Sequence, residues 1–135
     1  MKTINVSQAE GPALDWLVST ITNPEWTDED RAFNTFNYVD VGDANDEPYS
    51  PSTDWSQGGP IIEQEKITIR PVCHAERTEG GADLYRQDGW TAHVTPKEYW
   101  ITPRPESGPT PLIAAMRCFC VSKLGETVEV PEELS

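Results

Sequence analysis

The sequence predicts an α+β fold: a single small domain with a short antiparallel sheet, N-terminal and C-terminal helices packed on one face, and long ordered loops. Three observations point there. Leu14, Leu17, Val18 and Ile21 recur at i, i+3, i+4 and i+7, the apolar face of a helix near the start of the chain. A second helix near the end is bounded by Thr110-Pro111 and Gly125: a capping side chain, proline at the tolerated first position, and a glycine stop. Between them apolar and polar residues alternate, as in Ile67-Thr68-Ile69-Arg70 and Trp90-Thr91-Ala92-His93-Val94, the period of half-buried strands. A chain of 135 residues builds one core, expected over residues 1–125, with 126–135 an acidic C-terminal tail.

The elements follow in order. Lys2 to Val6 alternates and predicts a short strand. Ser7-Gln8-Ala9-Glu10 has the form of a capping box, although Gly11-Pro12 offers a later start with Gly11 as cap. Asn23-Pro24 stops that helix. Thr27 caps a short acidic helix reaching Phe36, with Asp28, Glu29 and Asp30 in the first turn, where the helix dipole favours carboxylates. Residues 37–60 show no sustained period and predict a long loop, ordered by the aromatics and turn residues of Tyr49–Pro60. Ile61-Ile62 and then Ile67, Ile69 and Val72 predict a strand or two. Glu76 to Gly89 is polar and glycine-rich, a connection with a hairpin tip at Gly80-Gly81. Tyr99-Trp100-Ile101 predicts another strand, before a loop from Pro103 to Pro111. In the last helix Leu112, Ile113, Met116, Phe119, Cys120 and Leu124 form the core stripe. Val128 and Val130 suit an edge strand or a dangling tail.

Charge narrows the function classes. Against 10 Lys and Arg stand 23 Asp and Glu, a net charge of −13, so a general nucleic-acid binder is excluded by its need for cationic phosphate contacts. The acids concentrate in residues 25–54, where nine of them face Arg31 alone, while residues 66–123 carry a slight basic excess that tolerates a small anion. No apolar run approaches a membrane span and no secretory leader pattern opens the chain, which points to the cytoplasm with Cys73, Cys118 and Cys120 reduced. Cys118 and Cys120, two apart on a helix, face different ways, so both are expected to be small buried hydrophobes and no metal site is expected.

Catalysis has little support. His74 and His93 belong to no metal or nucleophile motif, and adjacent Cys73-His74 are badly placed to pair on an extended segment. Ser52-Thr53-Asp54 lacks the Gly-x-Ser-x-Gly elbow, and no phosphate-binding glycine fingerprint occurs. A ligand site is better supported. Thr110 and Pro111 open a helix whose N–H groups attract anions, and Arg117, about two turns on, can pair with a phosphate or with Asp54. Tyr49, Trp55 and Trp90 can stack on a base, while Ser52, Thr53 and Asp54 offer hydrogen bonds to a sugar. For every one of these residues a plain structural role is the competing explanation. The other alternative is protein binding: acids interleaved with Trp26, Phe33, Phe36 and Tyr38 can imitate DNA phosphates toward a basic host protein.

The runs Tyr49–Glu63, Gly108–Cys118 and Ser122–Pro131, with Ala13-Leu14-Asp15-Trp16, resemble the NinX-like family of tailed-phage accessory proteins over nearly the whole chain. The resemblance implies a setting, the cytoplasm of an infected bacterium, and transfers no catalytic residue. The expected function is therefore a phage accessory protein that binds a small nucleotide-derived ligand without turnover, so sequestering a host defence signal. The alternative is an acidic inhibitor of a host DNA-binding or defence enzyme. The ligand-binding set is Tyr49, Ser52, Thr53, Asp54, Trp55, Trp90, Thr110 and Arg117, with no cofactor. Expected partners are that ligand, a host protein in the alternative reading, and a second copy of the chain; nucleic acid and membrane are not expected.

Overall fold

The computed structural model describes residues 1–36, 47–77, 79–81, 83–94 and 105–134, and for 73–77 and 83–88 the backbone alone. Strand β1 (Lys2–Asn5) is followed by a 3-10 turn (Val6–Gln8), then by helices α1 (Gly11–Thr22), α2 (Asp28–Asn34) and α3 (Trp55–Glu65). Strands β2 (Ile67–Arg77), β3 (Asp83–Val94) and β4 (Glu106–Gly108) come next, then helix α4 (Pro111–Leu124), strand β5 (Thr127–Val130) and a closing 3-10 turn. The class is α+β, with two antiparallel sheets: β1–β5 and β2–β3–β4. The sheet β2–β3–β4 packs on α4, and α1 packs on the other side of that helix.

Alternation explains the larger sheet. Ile67 pairs with Val94 and Ile69 with Ala92 on the face turned to the core, while Thr68 and Arg70 pair with His93 and Thr91 on the other. Between Pro71 and Cys73 the register shifts: Asp88 and Gly89 oppose Val72 alone, and Gly89 takes φ 85°, a bulge that suits glycine. The hairpin tip falls at Gly80-Gly81 as expected, but most of the stretch read as a connection is strand, since Arg77 still pairs with Asp83. Part of the expected Pro103–Pro111 loop is strand as well, Glu106–Gly108 pairing with β3. The strand expected at Tyr99-Trp100-Ile101 lies outside the described residues.

Helix α4 is buried nearly all round. Leu112, Ala114, Ala115, Met116, Cys118, Phe119 and Cys120 join Leu14, Trp16, Leu17 and Val18 of α1 in the core. A helix sandwiched between a sheet and another helix needs no polar stripe, which is why its apolar spacing understated its burial. Leu124, assigned to the stripe, is 38% exposed in the last turn.

The start of α1 differs from expectation. Ser7 does not cap α1: it lies in the 3-10 turn, whose cap is Asn5, and its hydroxyl donates to Glu106 Oε2 at 3.0 Å. Helix α1 begins at Gly11, with Glu10 making no side-chain cap. In α2, by contrast, Thr27 and Asp30 form the reciprocal box, at 3.1 and 3.2 Å.

The larger correction is α3. Gly58-Gly59-Pro60 reads as a loop, and Ile61-Ile62 as a strand, yet Trp55–Glu65 is helical with Pro60 inside it. Asp54 starts the helix by accepting from the Ser56 amide at 2.9 Å and its hydroxyl at 2.6 Å. Gly58 is required by contact: a Cβ there would collide with the Pro51 carbonyl and the Leu112 side chain. The segment therefore lies against the first turn of α4. Lys66, in the left-handed region at φ 54°, ends α3 and turns the chain into β2.

Candidate functional site

The eight residues expected to form one site divide between two places. One is structural. Ser52 is buried, and its N–H donates to Asp15 Oδ1 across 2.9 Å, tying the turn before α3 to α1. Asp15 is itself buried, and desolvation raises its carboxyl to about 6, the Ser52 hydroxyl and amide opposing the rise. That hydroxyl lies against the carboxyl but, oriented as it is, makes no well-formed hydrogen bond. Tyr49 shares a 2.6 Å hydrogen bond with Thr22 Oγ1 and meets Trp26 edge-on at 5.5 Å. Burial raises its phenol. Asp54 is the α3 cap, so its carboxylate is held by Ser56 and not by Arg117. Thr53 is exposed, its hydroxyl 3.4 Å from the Ser50 carbonyl. Trp55, 55% exposed, is the one aromatic of this group open to solvent.

Trp90, Thr110 and Arg117 gather elsewhere, where β3, β4 and the start of α4 meet. Trp90 is half-buried against the core, its backbone opposite Gly108. Gly108 allows β4 to reach the helix: a Cβ there would stand 2.7 Å from the Ala114 nitrogen. Thr110 caps α4 by accepting from the Ile113 N–H at 3.1 Å. Arg117 crosses beneath, its Nε donating to the Ala9 carbonyl at 2.7 Å and its Nη1 to that of Ser107 at 2.9 Å. Burial draws its pKa down, with Glu10 and Glu106 opposing.

Above Arg117 opens a depression of about 460 Å³ lined by Gly89, Ser107, Gly108, Pro109 and Arg117. The β3 bulge forms one wall and the residue before the α4 cap another. Two carbonyls fix the guanidinium, and Arg117 is the one charged residue among those lining the depression. Cys118 and Cys120 offer no nucleophile here: both are buried, the Cys118 thiol is pushed up to about 11 and that of Cys120 higher still. His74 and Cys73 lie in β2 with side chains outside the described residues.

Sequence reasoning missed Asp15, Glu106 and the anchoring role of Arg117. The only signal was an acid inside the apolar run Ala13–Val18 and an arginine inside the α4 core stripe. Charges so placed are either functional or paired by backbone.

No described helix is long and apolar enough to cross a membrane. The family model described as Bacteriophage P22, NinX matches residues 5–123. No curated protein matches the chain.

Proposed function

Because the chain belongs to the Bacteriophage P22 NinX family, we propose that it is a phage accessory protein that binds a small nucleotide-derived anion, without turnover, in the depression over Arg117. One observation carries this reading: a guanidinium held by two carbonyls lines an open hollow beside the bulge and the α4 cap. Its volume, about 460 Å³, falls among small-molecule sites. A bulge beside it is a common device for shaping such sites. Trp90 and Thr110 are chain neighbours of its lining residues Gly89 and Pro109. Tyr49, Ser52 and Asp54 have structural partners and drop from the ligand set. In the host cell such binding would sequester a nucleotide signal of anti-phage defence.

Calorimetry against cyclic dinucleotides, cyclic mononucleotides, NAD and ADP-ribose derivatives tests the reading. One class should bind, be recovered intact after denaturation, and lose about tenfold in affinity in Arg117→Lys, which keeps the charge and loses the planar fork. A panel with no heat of binding, or affinity untouched by that change, would refute it.

A second reading, the acidic inhibitor, rests on Phe33. It is 46% exposed on α2 and lines a hollow of about 400 Å³ with Glu29, Asp30 and Ala32. The clean variant is Glu29→Gln, since Asp28 pairs with Arg31 and Asp30 belongs to the capping box. Host-protein capture that falls steeply with salt and with this change would favour it.

A further inference from the structure

The small sheet β1–β5 has an edge with the means to take another strand. Lys2 faces Val130, Thr3 Glu129, Ile4 Val128 and Asn5 Thr127. The Val6 amide continues the ladder by donating to the Glu126 carbonyl at 2.9 Å. In an antiparallel pair hydrogen-bonded and non-bonded positions alternate. With Val6 bonded, Ile4 and Lys2 are bonded too, and the N–H and C=O of Thr3 and the N–H of Asn5 point away from β5, while the Asn5 carbonyl serves the 3-10 turn it caps. No described strand pairs with that edge.

A groove of about 380 Å³ runs along the same edge, lined by Thr3, Ile4, Asn5, Glu10, Ala13 and Leu134 among others. No β5 residue lines it, so the groove singles out the β1 edge. Ile4, Ala9, Ala13 and Leu134 give it an apolar part, and its one charged lining residue is Glu10. Across the strand Glu129 stands opposite Thr3, on a molecule of net charge −13. A like-charged second copy is disfavoured there, while a cationic strand is attracted.

We propose that the β1 edge docks an extended, basic segment of a partner protein, which adds as a third strand through Thr3 and Asn5 and lays alternate side chains into the groove. Main-chain hydrogen bonds would give the affinity, and the groove with Glu10 the preference for alternating apolar and basic residues. This surface is separate from the Arg117 depression and stands or falls apart from it.

The probe is a capped heptapeptide alternating Val and Lys, titrated into the whole protein by calorimetry. Controls are its Glu-for-Lys counterpart and a version with Pro at the central position, which lacks a strand donor. Thr3→Pro is the decisive protein variant. It removes an N–H that β5 does not use, so the fold is kept, and circular dichroism and the melting temperature check this. The Val–Lys peptide should bind, and weaken about tenfold with Thr3→Pro and with the Pro peptide. Glu10→Gln should weaken it less. Four results would overturn the proposal: no binding at millimolar peptide, equal binding of the Glu peptide, binding indifferent to Thr3→Pro, or a wild-type dimer that Thr3→Pro converts to monomer. The last would assign the edge to a second copy. Should Thr3→Pro fail to fold, the comparison of Val–Lys and Pro peptides on wild-type protein decides in its place.

Discussion

Asp15 shows how far one residue's environment can move its chemistry. Its carboxyl, raised to about 6 from an ordinary 3.8, is destabilised as an anion by burial, with Ser52 as partial compensation. The folded-state value lies above the unfolded one, so the contribution is most favourable below pH 3.8 and is lost as pH rises toward 6. Above that it stays lost, at a cost of up to about 3 kcal/mol. Asn at this position keeps the acceptor for the Ser52 N–H and brings a neutral donor toward the Ser52 hydroxyl. Asp15→Asn should therefore match wild type near pH 4 and exceed it in stability by up to that amount at pH 7.5. Urea unfolding of both proteins across this range checks it, and the difference cancels the titration of the other acids. A difference independent of pH would mean that Asp15 ionises normally. At this scale the sequence was half legible. Thr27 and Thr110 were recognisable as caps because capping depends on the next three residues. Asp15 was not, because its burial depends on residues 37 positions away.

At the scale of elements, α3 is the instructive case. Intrinsic preference argues against a helix containing Gly58, Gly59 and Pro60, and against the α region for a residue preceding proline. Glycine at 59 relieves the second objection, having no Cβ to meet the proline ring. Packing overrides the first: Gly58 is where α3 comes closest to Pro51 and Leu112. Gly58→Ala, which raises helix propensity, should nonetheless destabilise the protein by about 1–3 kcal/mol through overpacking. Thermal denaturation reads this directly, and a stabilised variant would show that the close approach is not tight. The termini of α1, α2 and α4 were near expectation because Pro12, Thr27, Thr110 and Gly125 punctuate the chain locally. The extent of β2 and β3 beyond Val72 and before Trp90 was not legible, since residues 73–77 and 83–88 carry no sustained apolar alternation.

The whole molecule is closed by its ends. Strand β1 pairs with β5, and Val130 is fully buried beside Val6 and Ile4. The expectation of an edge strand through Val128 and Val130 is met, so part of the acidic C-terminal stretch belongs to the packed structure. Truncation after Gly125 should cost about 2–4 kcal/mol, from the burial of Val130 and the lost ladder with β1. Urea midpoints of the full and truncated chains measure it; equal midpoints would make the stretch a true tail. Arg117 does the same at the centre, joining the carbonyl of Ala9 before α1 to that of Ser107 in β4. The candidate hollow lies where β3, β4 and α4 meet.

By itself the sequence determined the α+β class, the ends of three helices, the central hairpin, the acidic balance and the phage family. Each of these depends on residues close together in the chain or on composition. Only the tertiary structure decided which polar residues are anchors and which face an open surface. It held Asp54 at a helix cap, drew Ser52 to Asp15, and fixed Arg117 between two carbonyls beside one depression. Burial and the partner of a polar group depend on contacts between distant segments, and no local pattern records them.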